Sequence, residues 1–114
     1  MNKNSISTDE ELRQGEYLTS LDGNYKAVFQ TDGNFVIYKW TPTWASNTYG
    51  QNPFRILLQQ DNNLVIYTKE DKPLWASDTY TNQKSTRLRL TMTNEGELVL
   101  DNNGVRIWSA GEKC

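Results

Sequence analysis

Five residue types recur at every second position in two segments of the chain. The sequence Gln-Thr-Asp-Gly-Asn-Phe-Val-Ile-Tyr at residues 30–38 returns as Gln-Gln-Asp-Asn-Asn-Leu-Val-Ile-Tyr at residues 59–67. Asp offers acceptors, Asn and Gln both donate and accept, and Tyr carries a hydroxyl on a rigid ring. The hydroxyls of a hexose also donate and accept, and Val supplies an apolar contact for its ring carbons. The candidate site residues are Gln30, Asp32, Asn34, Val36 and Tyr38 in the first copy and Gln59, Asp61, Asn63, Val65 and Tyr67 in the second.

Asp and Asn also serve hairpin turns, and that interpretation stays open beside ligand binding. It explains the Asp and the Asn of each motif, but not an identical Gln and Tyr in both copies. As one extended strand, the eight steps from Gln30 to Tyr38 would span about 26 Å, which exceeds a single sugar ring. We therefore expect a hairpin that reverses at Gly33, places Gln30 opposite Val36 and lets the five side chains converge.

Residue counts exclude several other chemistries. The chain has no His, and its single Cys is Cys114, which excludes Ser-His-Asp and Cys-His catalysis and argues against a zinc site. Asp61 begins a segment like an EF-hand loop, but Ile66 and Lys72 stand where that loop needs Gly and Glu. Each motif holds one Asp rather than the acid pair of a glycosidase, so we expect no enzymatic activity, no metal and no cofactor. For Cys114, a free terminal thiol and an intermolecular disulfide both stay open.

Charge and hydropathy limit the partners. The 114-residue chain has a net charge of −2 with acids and bases interspersed, so it lacks the basic stripe that nucleic acid requires. No apolar run approaches the roughly 20 residues that cross a bilayer, and residues 1–7 are too polar for a signal peptide. We expect no nucleic-acid partner and no membrane insertion. Unless a leader was removed before residue 1, the protein is expected to be cytoplasmic or exported without a leader, for example to mucus.

Three copies of one unit account for most of the chain, which we interpret as a single domain over residues 1–114. The repeats run roughly over 21–49, 50–80 and 81–111. Short β-branched, aromatic or alternating runs separated by Asp-Gly, Asp-Asn and Asn-Gly turns predict antiparallel hairpins and no helix. One Trp near the end of each repeat is expected to meet its relatives on a pseudo-threefold axis; these are Trp44, Trp75 and Trp108. Trp40 lies outside the repeat and either extends a site or packs.

The two motifs, with Leu12-Arg-Gln-Gly-Glu-Tyr-Leu18 and the Trp-Ala-Ser-Asn-Thr segment at 44–48, resemble the bulb-type, or monocot mannose-binding, lectins. The missing leader and Lys-Trp-Thr-Pro-Thr-Trp at 39–44 most resemble the lily-type lectins of fish. This resemblance implies an all-β fold of the β-prism II type, with three four-stranded antiparallel units around a pseudo-threefold axis. It also implies calcium-independent binding of terminal mannose and a homodimer formed by exchange of C-terminal strands. In that family Gln is expected to reach O3, Asp and Asn the axial O2, and Tyr O4, with Val against the ring carbons.

Two departures from the family pattern matter. Only Val survives in the third copy of the motif, so we expect no mannose binding there; this copy reads Thr93, Glu95, Glu97, Val99 and Asp101. The disulfide that plant members carry would join the positions of Gly33 and Phe54, so packing must replace it. Mannose-containing glycans or glycoproteins are the implied partners, in defence or glycan recognition. The alternative is a protein-binding relative on the same scaffold with weak or no sugar binding.

Overall fold

The computed structural model describes residues 3–39 and 41–111, and its regular elements are twelve short strands. Trp40 and Cys114 lie outside the described residues. The strands are β1 (Ser5–Ser7), β2 (Glu11–Arg13), β3 (Tyr17–Thr19), β4 (Lys26–Phe29), β5 (Phe35–Tyr38), β6 (Pro42–Ala45), β7 (Pro53–Leu58), β8 (Leu64–Thr68), β9 (Pro73–Ala76), β10 (Leu88–Met92), β11 (Glu97–Asn102) and β12 (Val105–Gly111). Within the described residues, no helix is long and apolar enough to cross a membrane.

The strands form three four-stranded antiparallel sheets, which confirms the expected all-β architecture. Their orders are β1-β10-β11-β12, β2-β7-β8-β9 and β3-β4-β5-β6. Three consecutive strands of each sheet come from one stretch of chain, and the fourth comes from the segment that holds β1 to β3. This N-terminal segment therefore contributes one edge strand to every sheet and ties the three sheets together.

The tight turns depend on residues that tolerate positive φ, as the turn dipeptides predicted. Gly33, Asn62 and Gly96 occupy the same place in three hairpins, with φ of 92°, 74° and 84°. Asn103 and Gly104, with φ of 52° and 87°, form a two-residue turn between β11 and β12. A type I′ turn requires positive φ at both central residues, and Asn-Gly is the preferred pair for it.

The inner faces of the three sheets meet in one apolar core. Phe29 and Phe35 are fully buried on the inner face of the third sheet. The indole rings of Trp44, Trp75 and Trp108 meet pairwise at centroid distances of 5.6–5.9 Å in edge-to-face geometry, which confirms the predicted triad. These three residues are partly buried and pack against the core cluster. With apolar side chains directed inward, the alternate positions of each strand are left to the outer faces, where the motifs lie.

Candidate functional site

The first motif spans the hairpin between β4 and β5, but its register differs from the expected one. Val28 lies opposite Val36, and the N–H of Gln30 donates to the carbonyl of Asn34 at 2.9 Å. The expectation that Gln30 lies opposite Val36 is therefore wrong. The reversal centres one residue before Gly33, because this glycine closes a three-residue turn in the left-handed region instead of standing at its apex.

Gln and Tyr of each motif nevertheless meet, because both side chains are long and lie on the same outer face. Gln30 Nε2 donates to the hydroxyl of Tyr38. Gln59 Nε2 donates to the hydroxyl of Tyr67 at 2.6 Å. The Val on the same face is only 2% exposed in the first copy and 3% in the second. The structure thus brings Gln and Tyr together around a buried Val, as a hairpin was expected to do.

A serine and a threonine that follow β6 hold the carboxamide of Asn34. Ser46 Oγ donates to Asn34 Oδ1 at 3.3 Å, and the N–H of Thr48 donates to the same oxygen at 3.2 Å. Thr48 Oγ1 in turn donates to the carbonyl of Gly33 at 2.6 Å, which fixes Thr48 to the turn. The Nδ2 group of Asn34 has no hydrogen-bond partner among residues 3–39 and 41–111. Its N–H bonds are therefore the half of the amide left for a ligand.

The same serine–threonine clamp recurs in the second copy. Ser77 Oγ and the N–H of Thr79 donate to Asn63 Oδ1 at 3.1 and 3.3 Å. In the third repeat Ala110, which pairs with Leu98, takes the place of the serine and cannot donate. Sequence reasoning used the Trp-Ala-Ser-Asn-Thr segment as a family marker and missed this positioning role. The signal was its return after both intact motifs, with Trp44 six residues after Tyr38 and Trp75 eight residues after Tyr67.

The aspartate of each motif caps its own turn. Asp32 Oδ1 accepts the N–H of Asn34 at 3.0 Å, and Asp61 Oδ1 accepts the N–H of Asn63 at 3.0 Å. The turn interpretation is therefore right for one oxygen of each carboxylate. The second oxygen accepts no hydrogen bond within the part of the chain that the structure describes. Each turn thus presents a free acceptor from Asp and a free donor pair from Asn.

The third copy keeps the hairpin and loses this donor set. Thr93, at the position of Gln, is too short to reach across and its hydroxyl donates to the carbonyl of Glu97 at 2.9 Å. Glu97, at the position of Asn, lies 3.5 Å from the guanidinium of Arg106 and offers acceptors only. Asp101 replaces the Tyr, and Gly96 retains the left-handed turn position. The hairpin persists because its turn needs only a residue that tolerates positive φ, as Gly96 does, and not the side chains that the first two motifs share.

An ion-pair network flanks the second motif. Arg55 lies opposite Tyr67, with its guanidinium carbon 6.0 Å from the ring centroid. Its nitrogens lie 3.2 Å from the carboxylate of Glu11 and 3.1 Å from that of Asp71. The side-chain hydrogen bond from Arg13 is the main cause that holds the pKa of Glu11 below its ordinary value, and Arg55 adds to it. This network fastens β2 to β7 beside the second motif.

Comparison with known proteins gives consistent relatives. No family model matches the chain. It is 45% identical over 107 residues to the B-type lectin plumieribetin of Scorpaena plumieri, covering 94% of each chain. The snowdrop (Galanthus nivalis) mannose-specific agglutinin complexed with methyl-α-D-mannoside is 31% identical, with a TM-score of 0.80 and coverage of 98% of this chain and 99% of that one. A monomeric monocot mannose-binding lectin from Gastrodia elata is 29% identical, with a TM-score of 0.88 and coverage of 98% and 100%.

A prism of three antiparallel sheets with polar hairpins repeated on its outer faces defines a lectin, a class of carbohydrate-binding proteins without enzymatic activity. The chain belongs to the bulb-type, or B-type, lectin family. The β-prism II fold and the likeness to a fish member of the family are thereby confirmed, as is the expectation that the protein is no enzyme.

Proposed function

We propose that the chain binds terminal mannose at two sites. The observation that carries this proposal is the duplication of one hydrogen-bonded arrangement, Gln to Tyr and a clamped Asn beside a free Asp oxygen, in both intact motifs. Turn formation alone does not require a Gln–Tyr contact twice. The proposed sites consist of Gln30, Asp32, Asn34, Val36 and Tyr38, and of Gln59, Asp61, Asn63, Val65 and Tyr67. The mannoside complex of the snowdrop relative supports the choice of sugar.

Recognition rests on matching one hydroxyl with a donor and an acceptor at once. The Asn amide donates and the neighbouring Asp oxygen accepts, so a hydroxyl between them is read by its orientation, as the axial O2 of mannose requires. The Gln–Tyr pair has one acceptor on Gln and the hydroxyl proton of Tyr available, which suits two further hydroxyls. Val36 and Val65 are 2% and 3% exposed, so each offers the sugar only a small apolar surface.

Binding in this scheme needs no calcium. Among the described residues, no group of three or more His, Cys, Asp and Glu side chains is arranged to hold a metal ion. All ligand contacts come from amides, hydroxyls and one carboxylate per site. We expect mannose binding to persist unchanged in excess EDTA. Loss of binding on chelation and its recovery with calcium would contradict the metal-free mechanism.

The proposed stoichiometry is two mannose sites per chain, with none on the third repeat. A titration with methyl-α-D-mannoside, monitored through the NMR signals of the backbone amides, reports on binding at each hairpin separately. Shifts are expected around Asn34 and Asn63 and not around Glu97. A folded protein that shows no shifts at any concentration would support the alternative, a protein-binding member of the family without sugar binding. Three equivalent responses would show that the third copy is intact.

We further propose a homodimer formed by exchange of β12, with mannose-bearing glycans or glycoproteins as partners. In such a dimer β12 would carry Trp108 into the Trp cluster of the second chain. The two-residue turn at Asn103 and Gly104, which here joins β11 to β12 of one chain, would have to open. The monomeric Gastrodia relative makes the monomer the competing state, and sedimentation distinguishes the two.

A further inference from the structure

A polar cleft lies beside the third repeat, where the mannose motif has decayed. It has a volume of about 470 Å³ and runs between β1 and the β11–β12 turn. Its walls include Ser7, Arg87, Arg89, Asp101 and Asn103. None of the five motif residues of the first or the second copy lines it. Hydroxyl, amide and guanidinium groups dominate the walls, so the cleft suits a hydrated, hydrogen-bonding ligand.

The cleft carries uncompensated positive charge on a chain whose net charge is −2. Arg87 and Arg89 are exposed, and neither has an ion-pair partner among the described residues. Asp101 is the carboxylate of this wall, and its Oδ1 accepts the N–H of Gly104 at 3.2 Å. Two free guanidiniums beside one hydrogen-bonded carboxylate leave the cleft net positive. An anionic group is the ligand that such a site attracts.

A second cleft continues the first. It has a volume of about 670 Å³ and shares Arg87 and Asn103 with it. Lys84 adds a third exposed cation without an ion pair in the described chain, and Tyr80 lies on the wall with 64% of its surface exposed. Gln83 supplies an amide. An exposed aromatic ring among amides and hydroxyls is a surface on which a sugar ring stacks while its hydroxyls are hydrogen-bonded.

The positive surface lies at the strand positions where the third mannose motif has been lost. A cation stands opposite the Tyr position in all three sheets: Lys26 opposite Tyr38, Arg55 opposite Tyr67 and Arg89 opposite Asp101. Arg55 is neutralised by two carboxylates, whereas Arg89 is not. We propose that the third repeat binds an acidic saccharide, through sulfate or carboxylate groups held by Arg87 and Arg89, with a neighbouring ring along the second cleft.

The test compares saccharides of one length and different charge by isothermal titration at low salt. A heparin tetrasaccharide carries sulfates and carboxylates, its desulfated and re-N-acetylated form carries carboxylates only, and chitotetraose is neutral. We expect the heparin tetrasaccharide to bind, whether or not its desulfated form also binds. If the desulfated form binds as well, carboxylate groups are sufficient for binding. Arg87→Gln/Arg89→Gln should weaken it at least about tenfold, because charge-assisted hydrogen bonds are lost. The matched control Lys69→Gln/Lys72→Gln removes the same charge from the β8–β9 turn and should change nothing.

Four outcomes would overturn the proposal. The first is no binding of either acidic tetrasaccharide by the folded wild-type protein. The second is equal binding by the Arg87→Gln/Arg89→Gln variant, and the third is competition by methyl-α-D-mannoside, which would move the ligand to the first two motifs. A single-stranded DNA oligonucleotide of equal charge that binds as tightly would show a general polyanion surface rather than a saccharide site. Unaltered mannose titration of the double variant keeps this test separate from that of the mannose sites.

Discussion

At the scale of single residues, the atoms that each candidate site can offer a ligand are those that make no hydrogen bond within the described part of the protein. The amide oxygen of Asn34 accepts hydrogen bonds from Ser46 and Thr48, so only the N–H bonds of the amide remain for a ligand. One carboxylate oxygen of Asp32 accepts the N–H of Asn34 in its own turn, and the other remains for a ligand. A donor and an acceptor without partners would destabilise the protein if they were buried, but both can form hydrogen bonds with a hydroxyl of a ligand. Each polar turn is thus left with one free acceptor and one free donor group, which makes it a candidate binding site.

Replacing the Asn donor should remove one site at a time. Asn34→Asp keeps the oxygen that Ser46 and Thr48 contact and replaces the NH₂ by a second acceptor. We expect mannose affinity at the first site to fall at least about tenfold, with the second site unchanged, because a hydrogen bond is lost and an acceptor faces an acceptor. NMR titration measures both sites in one sample. Asn47→Asp is the matched control, since the second repeat already carries Asp78 there with nearly the same φ of 61°.

The clamp can be tested separately from the ligand contact. Ser46→Ala removes the hydroxyl that donates to Asn34 and reproduces the Ala110 of the third repeat. We expect weaker mannose binding at the first site and full binding at the second, because the N–H of Thr48 alone then holds the Asn34 amide. Ser77→Ala should give the mirror result. If either variant weakens both sites equally, the serine supports the fold and does not position the amide.

At the scale of elements, the hairpin turns carry the register, and the register decides which side chains share a face. One residue in the left-handed region moves the apex of the first hairpin by one position and changes the partner of Gln30. At Gly33 close packing adds to the conformational demand, since a Cβ there would lie 2.6 Å from Pro53 Cγ. Pro53 therefore packs directly against the turn at Gly33.

Substituting this glycine should therefore cost more than conformational strain. Gly33→Ala is expected to lower the free energy of unfolding by about 1–3 kcal/mol from the positive φ alone, and further from the clash with Pro53. Gly23→Ala is the control, because φ is 78° there and a Cβ would meet nothing within 4 Å. Urea unfolding of both variants gives the comparison. Equal losses would mean that Pro53 moves aside without cost.

The stability that Glu11 contributes should be sensitive to acid. The pKa of Glu11 is lowered in the folded protein, chiefly by Arg13. A lowered folded-state pKa gives stability that is present above the unfolded-state pKa and is lost as the pH falls through the folded-state value. We expect Glu11→Gln to flatten the decline of unfolding free energy below the ordinary pKa of 4.5 and to leave the plateau near neutral pH little reduced. A variant with an unchanged acid slope would contradict this assignment.

At the scale of the whole molecule, the three sheets share one apolar core and are joined at two further places. At one place, the rings of the Trp cluster contact one another across the three sheets. At the other, the N-terminal segment contributes one strand to each sheet. The sites lie on separate outer faces, so one chain presents them in different directions. A single shallow site is weak, because each hydrogen bond contributes only about 0.5–1.5 kcal/mol, and linked sites raise avidity by roughly 10²–10⁴. Assembly therefore decides how useful the proposed mannose binding is.

Opening of the β11–β12 turn should control assembly. Gly104 has φ of 87°, and Gly104→Val penalises the closed turn of the monomer but not an extended connection. We expect the wild-type chain to sediment as a dimer and the variant to shift further toward it. Cys114→Ser should leave the dimer intact if strand exchange holds it. A wild-type monomer that still agglutinates mannose-bearing cells would refute the need for assembly.

The sequence by itself determined the repeats, the strands, the left-handed turns and the meeting of Trp44, Trp75 and Trp108, because these follow from short-range periodicity and from one large aromatic per unit. It also supplied the candidate residues of both motifs. Only the tertiary structure decided the register around Gly33, the clamp from Ser46, and the lending of β1, β2 and β3 to three different sheets. The register depends on which position of the turn takes the positive φ, and the other features depend on contacts between distant segments; the local patterns did not specify these.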